Sequence, residues 1–188
     1  MSTLDPSAPL VLDTRELGRR AGSMKKLEFT VAAPADLGVG LIVVPPGSEI
    51  EIDLRLESVI DGVLVSGTAL LTIAGECSRC LEPLSFDTEV DVQELFEYPA
   101  TDSRGREIEN GTDDEEQPKL DDDLLDLEPV IRDAVLLALP LAPLCQPDCA
   151  GLCITCGENL NDHPEHAHEE VDPRWASLAQ LIELEEEK

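Results

Sequence analysis

Six cysteines in two clusters set the strongest constraint on how this chain can fold. Cys77-Ser78-Arg79-Cys80 is one C-x-x-C pair. Cys153-Ile154-Thr155-Cys156 is a second, preceded by Cys145 and Cys149. Thiols two residues apart can turn both sulfurs toward one ion, and two such half-sites distant in sequence are the usual parts of a zinc centre. The start, Met1 to Leu17, carries Asp5, Asp13, Arg15 and Glu16 and lacks an apolar run, so no export signal is read there. The expected compartment is the cytoplasm, where thiols stay reduced, and metal ligation is favoured over three disulfides. No run of about 18 apolar residues is present, so no membrane span is expected.

Two ligand assignments satisfy four-coordinate zinc. In one, Cys77, Cys80, Cys153 and Cys156 make a closed structural site, leaving Cys145 and Cys149. In the other, the histidines contribute. His163, His166 and His168 lie in one stretch, and His166 with His168 brings the donors to eight. Cys77, Cys80, Cys145 and Cys149 then hold one ion, and Cys153, Cys156, His166 and His168 hold a second. Both remain open on sequence alone. Cys149-x3-Cys153-x2-Cys156 also matches the iron–sulfur spacing of radical enzymes, but the chain lacks the repeated βα units such chemistry needs. A redox C-x-x-C is disfavoured for want of a βαβ setting.

Catalysis finds little support. There is no Gly-rich phosphate loop and no H-E-x-x-H, and any Ser-His-Asp arrangement would depend on one hydrophilic stretch. A four-thiolate zinc leaves no position for substrate. No enzyme is expected; a zinc-dependent hydrolase is the remote alternative.

Hydrophobic periodicity gives an α+β reading: an antiparallel β-meander packed by an apolar helix, with a Cys-rich knuckle segment and a C-terminal helix. Residues 1–25 read as an N-terminal arm. Residues 26–98 form the β core. There Leu27, Phe29 and Val31 alternate with polar residues, and Ile50, Ile52, Leu54 and Leu56 do so over a longer strand. Asp61-Gly62 signals a hairpin. The chain returns through Val63, Val65, Gly67, Ala69, Leu71 and Ile73, then Leu84, Phe86, Val90 and Val92. Residues 99–123 are acidic and expected to be mobile, since they bury too little to offset ordering. Residues 124–144 read as the core helix, with Asp126 as N-cap, Pro129 in the first turn, and an apolar surface widened by Leu136, Leu137 and Leu139. Residues 145–170 are the Cys/His-rich segment. Asp172-Pro173 opens the last helix, 171–188, whose stripe holds Trp175, Leu178, Leu181 and Ile182.

The order of motifs carries a resemblance. Glu76-Cys77-Ser78-Arg79-Cys80-Leu81-Glu82-Pro83 sits between strands and is followed by Glu94-Leu95-Phe96. After the acidic gap come Ala138-Leu139-Pro140, Cys149-Ala150-Gly151-Leu152-Cys153, Cys156-Gly157-Glu158-Asn159-Leu160-Asn161, and Asp172-Pro173-Arg174-Trp175-Ala176-Ser177-Leu178. From about Leu27 to Leu181 the chain resembles the bacterial YceD family, the large ribosomal RNA subunit accumulation proteins. The resemblance implies a non-enzymatic role in accumulation of 23S ribosomal RNA and so in large-subunit biogenesis. Family members are commonly encoded beside a small basic protein of the large subunit.

Charge sharpens that expectation. The chain has 13 Lys and Arg against 41 Asp and Glu, a net charge of −28. Gripping a phosphate backbone needs cations, so direct RNA binding is disfavoured. A basic large-subunit ribosomal protein or a pre-ribosomal particle is the expected partner, attracted by acidic segments such as Asp113-Asp114-Glu115-Glu116. The alternative is an RNA-contacting assembly factor acting through Arg15, Arg19, Arg20, Lys25 and Lys26.

Overall fold

A computed structural model describes residues 4–99 and 118–168. Two compact units are present: Met1–Ser78 with Glu82–Cys145, and Arg79–Leu81 with Gln146–Lys188. Among the described residues the elements run β1 (Val11–Asp13), β2 (Met24–Ala32), β3 (Gly38–Val39), β4 (Ile42–Val43), β5 (Glu49–Ser58), β6 (Gly62–Glu76), β7 (Pro83–Glu97), β8 (Leu124–Asp126) and α1 (Glu128–Ala138).

The first unit is an antiparallel sheet covered on one face. Its main strands pair in the order β2-β5-β6, with β7 on the far side of β6. In β5 the residues alternate strictly: Ile50, Ile52, Leu54 and Leu56 are buried, while Glu49, Glu51, Asp53 and Arg55 are exposed. Such a period of two puts all the apolar residues on one face. The pairing registers continue that face through Val65 and Leu71 of β6 and Val90, Val92 and Phe96 of β7. The β3–β4 hairpin extends the sheet, with Ile42 and Val43 set against Gly75 and Ala74 beyond the end of β5.

Leu125, Leu127, Ile131 and Val135 complete the core, and α1 packs against β7 and β3. Leu10 and Leu17 are also buried in it, and β1 pairs with β8. Leu10 and Leu17, in the segment read as an arm, thus belong to the core. The predicted helix is present, with two differences. Leu127 occupies the N-cap position, because its side chain is fully buried; Asp126 instead accepts the Glu128 N–H at 2.9 Å from one residue further out. Leu137 does not widen the packed surface, being 88% exposed.

The hairpin between β5 and β6 is also displaced from its expected register by one residue. The Val59 N–H donates to the Gly62 carbonyl at 2.9 Å, so Ile60 and Asp61 form the tip and Gly62 begins β6. Neither tip residue has a positive φ, so the turn does not use the mirror-image conformation that favours Asp-Gly. Gly62 is required for another reason: a Cβ there would overlap the backbone carbonyl of Phe96 in β7.

Within the second unit no described residue lies in a strand or helix longer than a single bridge. The expected C-terminal helix and most of the acidic 99–123 segment lie outside the described residues. Among those described, no helix is long and apolar enough to cross a membrane.

Leu54 is fully buried at the centre of the sheet. Leu54→Ala is expected to cost about 2–5 kcal/mol, as core truncations do. Gly62→Ala is expected to cost about 1–3 kcal/mol through overpacking against β7. Urea unfolding monitored by circular dichroism checks both, with the midpoint falling and the slope unchanged.

Candidate metal centre

Strand β6 ends at Glu76 and delivers Cys77 to a tight turn before β7 begins at Pro83. The Cys77 N–H donates to the Glu82 carbonyl at 2.9 Å, closing the turn. Leu81, just after the second cysteine, has a left-handed backbone with φ of 60°. The second C-x-x-C repeats this construction. The Cys153 N–H donates to the Glu158 carbonyl at 2.8 Å, and the matching position after its second cysteine is Gly157, with φ of 78°. A left-handed residue there lets the chain reverse while both sulfurs face inward. Glycine adopts that conformation without penalty, whereas leucine is strained by about 1–2 kcal/mol.

By residue type and spacing the donors fall into two groups, Cys77, Cys80, Cys145 and Cys149, and Cys153, Cys156, His166 and His168; the latter, within one unit, could hold a metal ion. None of the six cysteines is in a disulfide. In the first group Cys77, Cys80 and Cys149 are buried and Cys145 is exposed. Within the first unit, the Ser78 N–H donates to the Pro143 carbonyl at 2.8 Å, which holds the approach to Cys145 beside the start of the knuckle. Within the second unit, Arg79 does the corresponding work. Its guanidinium donates to the Cys149 carbonyl at 2.8 Å, and its own carbonyl accepts the Leu152 N–H at 3.1 Å.

The second group lies wholly in the second unit, and its four donor atoms fall within 4.8 Å of one another. His166 Nε2 and His168 Nε2 are 2.9 Å apart, and each is 3.2 Å from Cys156 Sγ. Around tetrahedral zinc, bond lengths of about 2.0 and 2.3 Å place two nitrogens about 3.3 Å apart and sulfur about 3.5 Å from nitrogen. The observed separations are a few tenths of an ångström tighter, so the donor set and its spacing fit that ion. Backbone N–H groups of Cys156 and Thr155 donate to Cys153 and, aided by the Cys156 and His166 side chains, lower its pKa to about 6. Cys153 is therefore largely thiolate at neutral pH, the form that binds metal. His163 stands apart, 3.2 Å from the Glu158 carboxylate.

Sequence reasoning missed the residue that organises this segment. Asn161 Oδ1 accepts from the Ala150 N–H at 2.8 Å and the Gln146 amide at 3.2 Å; its Nδ2 donates to Asn159 Oδ1 at 2.9 Å and to Cys149 Sγ at 3.4 Å. An N–H aimed at sulfur orients it, as outer-shell partners of metal ligands do. Only the recurrence of asparagine two residues apart after the knuckle marks it in the sequence.

The family model described as "Large ribosomal RNA subunit accumulation protein YceD" matches residues 65–182, from within β6 past both cysteine clusters. The chain belongs to the YceD family. A protein of Mycobacterium tuberculosis is 44% identical over 178 residues, covering 94% of this chain and 83% of its own length. One from Mycobacterium leprae is 39% identical over 175 residues, covering 93% and 78%. A more distant member of the YceD family, a chloroplastic "Large ribosomal RNA subunit accumulation protein YCED homolog 1" of Zea mays, is 28% identical over 131 residues, covering 57% and 41%. No solved structure matches the chain.

Two outcomes are expected. In chelator-treated protein, alkylation of Cys153 by iodoacetamide should be fast at pH 7 and fall as pH drops through about 6, because the depressed pKa keeps the thiolate down to that point. Mass spectrometry of the alkylated peptide across pH checks this, and added zinc should block it. Separately, Leu81→Gly should raise stability by about 0.5–1 kcal/mol, since relief of left-handed strain exceeds the entropy that glycine adds to the unfolded chain. Thermal denaturation would show it.

Proposed function

We propose that the protein supports accumulation of large-subunit ribosomal RNA without catalysing a reaction, by binding a basic large-subunit ribosomal protein or an assembly particle that carries one. We further propose that Cys77, Cys80, Cys145 and Cys149 hold a structural zinc. The C-x-x-C spacing of Cys77 and Cys80, with Cys145 and Cys149 as the remaining pair of thiols, supports this.

The observation that carries the partner reading is the uncovered face of the sheet. Pairing registers place Glu28, Asp53, Thr68 and Asp91 in one row across four strands, and Thr30, Glu51, Leu70 and Glu89 in the next. Five carboxylates and no cation stand in these two rows. Glu28 and Asp53 are direct cross-strand partners, an arrangement that destabilises a sheet. Along these rows lies a groove of about 460 Å³ lined by Glu28, Glu51, Asp53, Thr68, Leu70 and Glu89. Leu70, 41% exposed, gives this charged surface an apolar centre. Lys26 and Arg55 pair in the row beyond these two, but two adjoining rows of one sign still raise the local concentration of an oppositely charged partner and speed encounter.

The same structure weakens the RNA-contact alternative. Arg15 pairs with Asp13 at 2.8 Å, and Lys25 with Glu16 at 2.6 Å. Arg19 meets Asp123 at 3.4 Å and stacks on Tyr98, 4.9 Å from the ring centroid. Three of the five cations in the basic segment are thereby engaged with groups of the chain itself.

The test is capture from lysate with and without nuclease, followed by binding kinetics on the recovered basic protein. Capture is expected to survive nuclease and to weaken as salt rises. Replacing Glu28, Glu51 and Glu89 by Gln and Asp53 by Asn should slow association about tenfold, while raising the melting temperature by roughly 2–4 °C as like-charge repulsion is relieved. Replacing Asp113, Asp114, Glu115 and Glu116 by Ser removes the same charge from the acidic segment and should slow association less. Capture that vanishes with nuclease would establish the RNA-contact reading instead.

A further inference from the structure

We infer that Cys153, Cys156, His166 and His168 form a second zinc site that exchanges its ion with solvent while the rest of the fold stays intact. The inference does not depend on the partner reading. Its first support is the way the donors converge. A neutral imidazole Nε2 has a single lone pair or a single N–H, directed along one line in the ring plane. Here each Nε2 meets two partners at once, the other ring's Nε2 at 2.9 Å and Cys156 Sγ at 3.2 Å. One lone pair cannot serve both as separate hydrogen bonds. Both can aim at a common cation, and the Cys153 sulfur lies within the same 4.8 Å cluster. The two rings meet edge to face, with centroids 4.7 Å apart and planes at 83°, as two ligands on one ion can. Two thiolates and two imidazoles are a zinc donor set.

The second support is access. Cys156 and His168 are exposed and Cys153 and His166 are half-buried, whereas Cys77, Cys80 and Cys149 of the other group are buried. Ile154, between the two knuckle cysteines, is 99% exposed, so no apolar cover lies over the turn. A chelator or zinc-accepting thiol can therefore reach this ion by displacing ligands one at a time.

The third support is local closure. All four ligands fall between residues 153 and 168, and backbone bonds hold the knuckle without metal. Cys153 N–H reaches the Glu158 carbonyl at 2.8 Å, Gly157 N–H reaches the Cys153 carbonyl at 2.8 Å, and Leu160 N–H reaches the Gly151 carbonyl at 2.9 Å. Loss of the ion frees the two histidines and leaves the sheet core, which uses none of these residues, in place.

The experiment uses the full chain purified under reducing conditions. Zinc is counted by elemental analysis, and its release to a colorimetric chelator is followed in time. Two ions per chain are expected, one released at least roughly 100-fold faster than the other. His168→Ala and Cys156→Ser should each abolish the fast phase, retain the slow ion, and leave the melting of the sheet within about 2 °C of the original. Cys80→Ser should instead lose the slow ion and lower the melting temperature. Should a variant fold poorly, Co²⁺ added back to the partly stripped original chain supplies the second readout, with tetrahedral absorption bands of mixed sulfur and nitrogen ligation expected. The inference is overturned by a single zinc per chain, by a fast phase that survives in His168→Ala, by loss of both ions in either second-site variant, or by a stripped site that does not rebind Co²⁺ or Zn²⁺.

Discussion

Everything in the first unit depends on β6 being paired along its whole length. Its 15 residues are matched throughout by β7 on one side, and by β5 and then β4 on the other. Fifteen residues span about 50 Å of strand, nearly three times what an ordinary strand covers. With both edges occupied, its backbone groups are satisfied by neighbours and its register cannot slip without turning every apolar side chain to the wrong face. The first knuckle follows from this. Because the register is fixed up to Glu76 opposite Pro83, the six residues between the paired ends have little choice but a tight reversal. Cys77 and Cys80 are positioned by the sheet before any ion arrives.

The second knuckle reaches the same geometry with no sheet to support it. Its order comes from short-range backbone bonds and from Asn161, whose amide spends all of its bonding capacity on the surrounding turns. The contrast between Leu81 and Gly157 fits that difference. A knuckle framed by two long strands tolerates a strained leucine, because the frame dictates the conformation. One that stands on local bonds takes glycine, which enters the left-handed region without cost. One ligand motif thus occurs with two degrees of support, and the exposure of its cysteines differs accordingly.

This contrast also explains what was legible in the sequence. The strands were legible because each is half-buried, so apolar and polar residues alternate in Ile50 to Leu56 and again in β7. Cysteine and histidine spacing pointed to metal ligation but left the grouping of donors open, since grouping depends on where loops travel. The helix was legible in its periodicity and less so in its start, where burial of Leu127 outweighed the capping preference of Asp126. The hairpin shifted by one residue because Gly62 answers to the approach of β7 rather than to the turn. The short strands β1, β3, β4 and β8 carry two or three residues each, too few to show any period. Asn161 was barely legible, because two asparagines two residues apart are only a faint pattern.

The charge distribution connects this architecture to function. A sheet with one covered face must expose the other, and nothing in folding demands that two adjoining rows of that face carry one sign. Alternating Lys and Glu across strands would have stabilised it through cross-strand pairs. Instead Glu28 faces Asp53, and Arg15, Arg19 and Lys25 are engaged with carboxylates of the chain itself. Stability is surrendered on that face and retained in the core behind it. Such a trade is ordinary where a surface must meet a partner, since groups that satisfy one another within the chain have nothing left to offer a second molecule. These acidic rows repel phosphate and attract lysine and arginine, which is why the proposed partner is a basic protein rather than RNA.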